Sequence, residues 1–116
     1  MRALIVVNDA PYGSERAYNG LRLAGALAKQ PGAEIMVFLI GDAAACAKRG
    51  QRVPSGYYNV QTMLTALVQR GARIGVCGSC MDARGIAEPE LVEGTRRSSI
   101  DELTAWTLEA EKVITF

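Results

Sequence analysis

Two thirds of the way along the chain, a short apolar run from Ala72 to Val76 ends in Cys77-Gly78-Ser79-Cys80. Two thiols three positions apart, where a strand gives way to a helix, form a setting that favours thiolate, the form that attacks sulfane sulfur, a disulfide or a metal. The magnitude is large: a thiol of pKa ~8.5 is only about 3% ionised at pH 7, whereas one lowered to ~7 is about half ionised. Gly78 lets the backbone come close to whatever binds there. Ser79 separates it from the second thiol, and Arg84 is the cation expected nearby. A strand-end cysteine also serves as a plain small apolar residue, and that reading applies to the third one. Cys46 lies among Ala43, Ala44, Ala45 and Ala47, where inert packing is expected.

What else the chain can do is narrowed by the residue type it lacks. It has no histidine, so no Ser-His-Asp triad, Cys-His dyad or HExxH zinc site can be built from it. A structural zinc ion needs four ligands, and three cysteines fall short within one chain, so no metal site is expected. CxxC alone leaves redox, metal and persulfide chemistry open. A thioredoxin carries its motif after an early strand; here it follows the third, and no cis-proline candidate stands opposite.

The elements that must position these thiols follow from the apolar pattern. Ala3 to Val7 is a continuous apolar run, and Ala33 to Ile40 and Ala72 to Val76 are apolar but for Glu34 and Arg73; each reads as a strand buried on both faces. Between them, Ser14 is placed to cap a helix to about Lys29, stopped by Pro31-Gly32, with Ala17, Leu21, Ala24 and Ala28 on one stripe. Asp42 is placed to cap a short helix through Lys48. After the irregular Val53-Pro54-Ser55-Gly56, a helical period runs from Tyr57 to Arg70. Gly78 to Gly85 reads as a short helix, Glu88 to Val92 as a turn of helix and Thr95 to Ser98 as a brief strand. Ser99 and Glu102 have capping-box spacing, and the helix they open carries Ile100, Leu103, Trp106, Thr107 and Ala110. Val113 to Phe116 reads as a last strand. Alternating strands and helices of this kind predict one three-layer α/β/α domain over residues 1–116, with a mainly parallel sheet. Ligands gather at the carboxyl ends of such strands, which here means Asn8 to Gly13, Gly41-Asp42, and Cys77 to Cys80.

Composition sets further bounds. The 116 residues, 49% hydrophobic and 22% charged, are those of an ordinary globular domain. Thirteen Lys plus Arg against twelve Asp plus Glu leave a net charge of +1, which gives no electrostatic argument for nucleic acid or for an anionic membrane. The longest strongly apolar run, Ile35 to Ile40, is roughly a third of the ~20 residues a spanning helix needs, and no signal peptide is recognisable. An odd number of cysteines forms no disulfide framework and points to a reducing compartment, the cytoplasm. No GxGxxG or GxxxxGK[ST] motif is present, so nucleotide binding is not expected. Asp9, at the end of the first strand, is either a ligand carboxylate or a turn former. Tyr58, beside Tyr57, either walls the thiol pocket or packs a helix start onto the sheet.

The stretches Val53-Pro54-Ser55-Gly56-Tyr57-Tyr58-Asn59 and Gly71-Ala72-Arg73-Ile74-Gly75-Val76-Cys77-Gly78-Ser79-Cys80-Met81-Asp82-Ala83-Arg84-Gly85-Ile86, together with the ending from Asp101-Glu102-Leu103 to Phe116, resemble the DsrE-like (DsrE/DsrF, YchN-like) sulfur-relay family. The resemblance runs essentially end to end. It implies a five-stranded parallel sheet between helices, assembly as a homotrimer or homohexamer, and no organic cofactor. It further implies that sulfane sulfur is taken from a donor protein as a cysteine persulfide and passed to an acceptor protein. In sulfur-transferring members the acceptor cysteine lies eight residues before the Gly of an Arg-Gly pair. Counting back from Gly85 gives Cys77, with Cys80 as a resolving or second thiol. Relay members with one cysteine here carry two arginines before that glycine; this chain has Cys80 as well, and Ala83 in place of the first arginine, which puts it nearer the single-component YchN-like branch. Two alternatives accompany the persulfide expectation: a non-catalytic oligomeric binding or assembly protein of the same fold, and a Cys77/Cys80 thiol–disulfide redox protein.

Overall fold

The computed structural model describes residues 1–116, and in it the three apolar runs lie side by side as parallel strands. The chain order is β1 (Arg2–Val7), α1 (Arg16–Ala28), β2 (Glu34–Leu39), a 3₁₀ segment (Gly41–Ala47), α2 (Val60–Gln69), β3 (Arg73–Cys77), α3 (Gly78–Ala83), β4 (Thr95–Ser98), α4 (Ile100–Glu109) and β5 (Lys112–Thr115). A single 3₁₀ turn at Glu88–Glu90 precedes β4. The five strands form one all-parallel sheet in the order β4-β3-β2-β1-β5.

That order explains how the helices are divided between the faces. Parallel crossovers are almost always right-handed. Three successive crossovers march from β1 to β4 in one direction, and so place α1, α2 and α3 on the same face. The last crossover runs back from β4 to β5, and α4 falls on the opposite face. The first face carries 22 of the buried apolar residues, from Ile5, Val37 and Val76 in the strands to Leu21 and Leu64 in the helices. The second carries four: Leu4, Met36 and Phe38 beneath Trp106.

Trp106 holds α4 down. Its ring meets Phe38 edge to face at 6.1 Å between centroids, a favourable aromatic geometry. Gly75 makes room for it, since a Cβ there would lie 3.2 Å from the indole. The guanidinium groups of Arg73 and Arg96 lie 5.4 and 5.8 Å from the ring centre; Glu109 and Glu102 pair with those two arginines. Leu103 and Ala110 pack beside the indole, whereas Ile100 and Thr107, expected on the same stripe, face outward. No helix is long and apolar enough to cross a membrane.

Helix starts differ from the sequence reading in four places. Ser14 is not the N-cap of α1, a position Glu15 takes without a side-chain bond: the Ser14 hydroxyl donates to the Asp9 carboxylate at 2.7 Å, and its oxygen accepts the Arg16 amide at a long 3.4 Å. Asp42 does not cap the 3₁₀ segment, because its carboxylate accepts from Arg84 instead. The second long helix begins at Val60, not Tyr57, with Asn59 accepting the Thr62 amide at 3.1 Å. Of the capping box at α4, only half forms. Ser99 accepts the Glu102 amide, while the Glu102 carboxylate turns to Arg96 and Ser98. At Ser14, Asp42 and Glu102 a side chain expected to serve its own helix found a charge-assisted partner instead.

Candidate functional site: a cysteine pair at the end of the third strand

Cys77 is both the last residue of β3 and the N-cap of α3, so the strand delivers its sulfur to the carboxyl edge of the sheet. One short turn of helix returns Cys80 to it, with the two Cα atoms 5.2 Å apart and the sulfurs joined as a disulfide. That spacing lies within the usual disulfide range. The Cys80 amide donates to Cys77 Sγ at 3.4 Å, and the Ser79 hydroxyl lies 3.5 Å from the same sulfur. Cys80 has its own donor: the Gly41 amide reaches Cys80 Sγ at 3.1 Å. Gly41 adopts φ +60°, a left-handed conformation open to glycine, just where β2 ends.

The three carboxyl-end loops therefore do converge. Gly41 lies against the Asn8 carbonyl on one side and against Cys80 on the other. The two sulfurs border a groove of about 490 Å³ between the starts of α3 and α4, walled by Phe38, Ile40 and Ile100 and edged by the hydroxyl-bearing Ser79, Ser98 and Ser99. Three other surface hollows contain no cysteine. No group of three or more Cys, Asp or Glu side chains is placed to hold a metal ion.

The cation at the groove is not the one expected. Arg84 points to the far side of α3, donating to the Asp42 carboxylate at 2.7 Å and to the Cys80 carbonyl at 3.1 Å. It ties α3 to the 3₁₀ segment and so holds Cys80 against the Gly41 amide. Arg97, from the neighbouring strand β4, lines the groove with Cys77. Its guanidinium grips both oxygens of Asp82 at 2.7 and 2.9 Å and holds that carboxyl below the usual carboxylate range. The glycine at 78 is what admits it: a Cβ there would meet the Arg97 Cζ at 2.8 Å. Arg97 is the charged groove residue that the sequence reading did not place here, whereas Gly41 lies in a carboxyl-end loop it had singled out. Arg97 was legible only through strand pairing, since the β3–β4 register sets Val76 beside Arg97 and Cys77 beside Ser98.

Asp9 and Tyr58 lie outside the groove. The Asp9 carboxylate accepts from Ser14 and Arg16, and the Ser14 hydroxyl, foremost, holds it below its ordinary range. Tyr58 is the centre of a stack that gathers all four tyrosines, with ring centres 4.1 Å from Tyr18, 4.6 Å from Tyr57 and 5.6 Å from Tyr12. Partial burial pushes the Tyr58 phenol up, and the neighbouring Tyr57 phenol adds to the shift.

Cys46 is sealed in the larger core, its thiol donating to the Asp9 carbonyl at 3.7 Å. Burial pushes that thiol up to about 12. It stays protonated at any physiological pH.

Comparison with known proteins adds to this geometry. The family model of the DsrE/DsrF-like family matches residues 1–116. Protein YchN of Escherichia coli K12 is 42% identical over 116 residues, covering 99% of this chain and 98% of that protein. An uncharacterized protein of Methanopyrus kandleri is 38% identical over 112 residues, covering 97% and 91%. Among solved structures, the crystal structure of YchN from E. coli superposes with a TM-score of 0.93 over 99% of this chain and 98% of that one.

Proposed function

Because the chain belongs to the DsrE/DsrF-like family, which supports a role in sulfur relay in general, we propose that it carries sulfane sulfur as a persulfide on Cys77 and passes it to an acceptor protein. The observation that carries this reading is the contrast between a groove-lining Cys77, its sulfur met by the Cys80 amide, and a sealed Cys46. Hydrogen-bond donors aimed at a sulfur favour its anionic form, and the thiolate is the nucleophile. The Cys77 thiolate attacks the outer sulfur of a donor persulfide; a new S–S bond forms at Cys77, the donor's S–S bond breaks, and the donor leaves as its thiolate. Delivery repeats the exchange, with the acceptor's thiolate attacking the outer sulfur on Cys77. A partner thiol reaches that sulfur along the groove, past the serine hydroxyls and the apolar wall of Ile40 and Ile100.

Self-association is part of the proposal. Ile100 is 65% exposed and Leu108 83% exposed on the outer side of α4, with Val113 exposed on β5. Apolar side chains left open on the thinly covered face support a homotrimer or homohexamer, which sedimentation of the purified protein tests. A reducing compartment, the cytoplasm, suits a thiol that must be free to load.

The test of the main reading is intact mass with peptide mapping after the reduced protein meets a sulfane-sulfur donor. In the Cys80→Ser background one added sulfur on Cys77 is expected, kept when Cys46→Ser is added and lost when Cys77→Ser is added. Normal uptake by Cys77→Ser would overturn it. The Cys77–Cys80 disulfide favours a second reading, a dithiol–disulfide couple exchanging with a protein thiol. That reading requires a measurable reduction potential for the pair in the absence of any sulfur donor.

A further inference from the structure

The two sulfurs of the pair have different surroundings, and the difference assigns them different tasks. Cys77 packs toward the thin second face and opens on the groove, with the Ser79 hydroxyl beside it. Cys80 packs against the larger core, its sulfur receiving the Gly41 amide and its carbonyl held by Arg84. Both sulfurs border the groove, but Cys80 is the one anchored to the larger core, and the two are joined as a disulfide. A sulfur carried on Cys77 extends one S–S bond, about 2 Å, beyond Cys77 Sγ. Cys80 Sγ is therefore set to reach the inner sulfur of the persulfide, the Cys77 Sγ itself.

We propose, building on the persulfide reading above, that Cys80 unloads Cys77 and makes the protein a sulfane-sulfur reductase. The Cys80 thiolate attacks Cys77 Sγ, the Cys77–Cys80 bond forms, the bond to the carried sulfur breaks, and hydrosulfide leaves with the proton the persulfide held. The two cysteine sulfurs are oxidised by two electrons together, and the carried sulfur is reduced by two and departs as HS⁻. A dithiol reductant, protein or small molecule, then reopens the disulfide by two successive exchanges and is itself oxidised to a disulfide. Acceptor thiols compete with Cys80: with an acceptor bound in the groove the sulfur is handed on, and without one it is released as hydrosulfide.

The test loads the reduced, desalted protein with an aromatic thiosulfonate. Its leaving group is a sulfinate, so any hydrosulfide comes from the protein. Samples are alkylated at intervals for intact mass, and hydrosulfide is assayed alongside. In Cys80→Ser, and equally in Cys80→Ala, the persulfide on Cys77 accumulates and no hydrosulfide appears. In the unaltered protein the persulfide is lost, one hydrosulfide per chain is released, and the chain ends two hydrogens lighter than its reduced form. A persulfide as lasting in the unaltered protein as in Cys80→Ser overturns the unloading step and leaves the carrier reading intact. Absence of sulfur on Cys77 in every form overturns both.

Discussion

Cys46 and Cys77 belong to the same small domain yet are opposite kinds of thiol. Cys46 sits in a 3₁₀ segment of alanines, buried completely, its thiol donating to the Asp9 carbonyl. Burial away from water drives the thiol up to about 12, with the nearby Asp9 charge adding to the rise. Cys77 ends a strand, borders a groove and is met by an amide donor. The lesson is that local polarity, not residue type, decides reactivity. The fold supplies that polarity by ending strands at one edge, where backbone amides are left without strand partners.

The largest effect that would break the contrast is chemical. Cys77→Ser should abolish sulfur uptake while leaving the fold intact, and a mass measurement that still found sulfur would end the distinction. Next comes packing. Cys46→Leu forces extra methylenes into a filled site and should cost ~1–3 kcal/mol in denaturant unfolding, whereas a change at the groove-lining Cys77 should leave the unfolding midpoint nearly unmoved.

The pH dependence follows, with a definite sign. Between the ordinary thiol pKa of ~8.5 and the folded value of about 12, the unfolded chain binds fewer protons at this position than the folded one. The stabilisation is whole below that window and is lost as pH rises through it, by up to about 1.4 kcal/mol per pH unit. Unfolding of the unaltered protein should therefore weaken more steeply above pH 9 than that of Cys46→Ala, and parallel curves would contradict the burial argument.

The smallest effects concern the groove's charges. Gly78→Ala drives the Arg97 guanidinium off its seat and should slow alkylation of reduced Cys77 by no more than about tenfold, the change one pKa unit brings. Asp42→Asn releases Arg84, an exposed pair of little worth to stability, and should quicken alkylation of reduced Cys80 as α3 loosens from Gly41. Unchanged rates in both would mean that neither arginine positions the thiols.

Much of this was legible beforehand, and unevenly so. The strands β1, β2 and β3 announce themselves as apolar runs behind a single charged residue, and even the polar Thr95-Arg96-Arg97-Ser98 reads as the strand it forms. Cys77 at a strand end and Cys46 among alanines were visible as different settings. Partner choice was not visible. Ser14 and Asp42 have the residue types of helix caps, and nothing local reveals that Asp42 meets a guanidinium 42 residues away. Arg97 gave no signal of its own, because its neighbour Gly78 is set by the pairing of β4 with β3, a long-range fact. The donor on Cys80 is a backbone amide, which no side-chain pattern encodes.

The most direct measurement is to treat the reduced protein with a sulfane-sulfur donor, in the Cys80→Ser background where a persulfide would persist, and map the added mass by peptide. The account predicts one sulfur on Cys77 and none on Cys46. Sulfur on Cys46, or an unmodified Cys77, would contradict it.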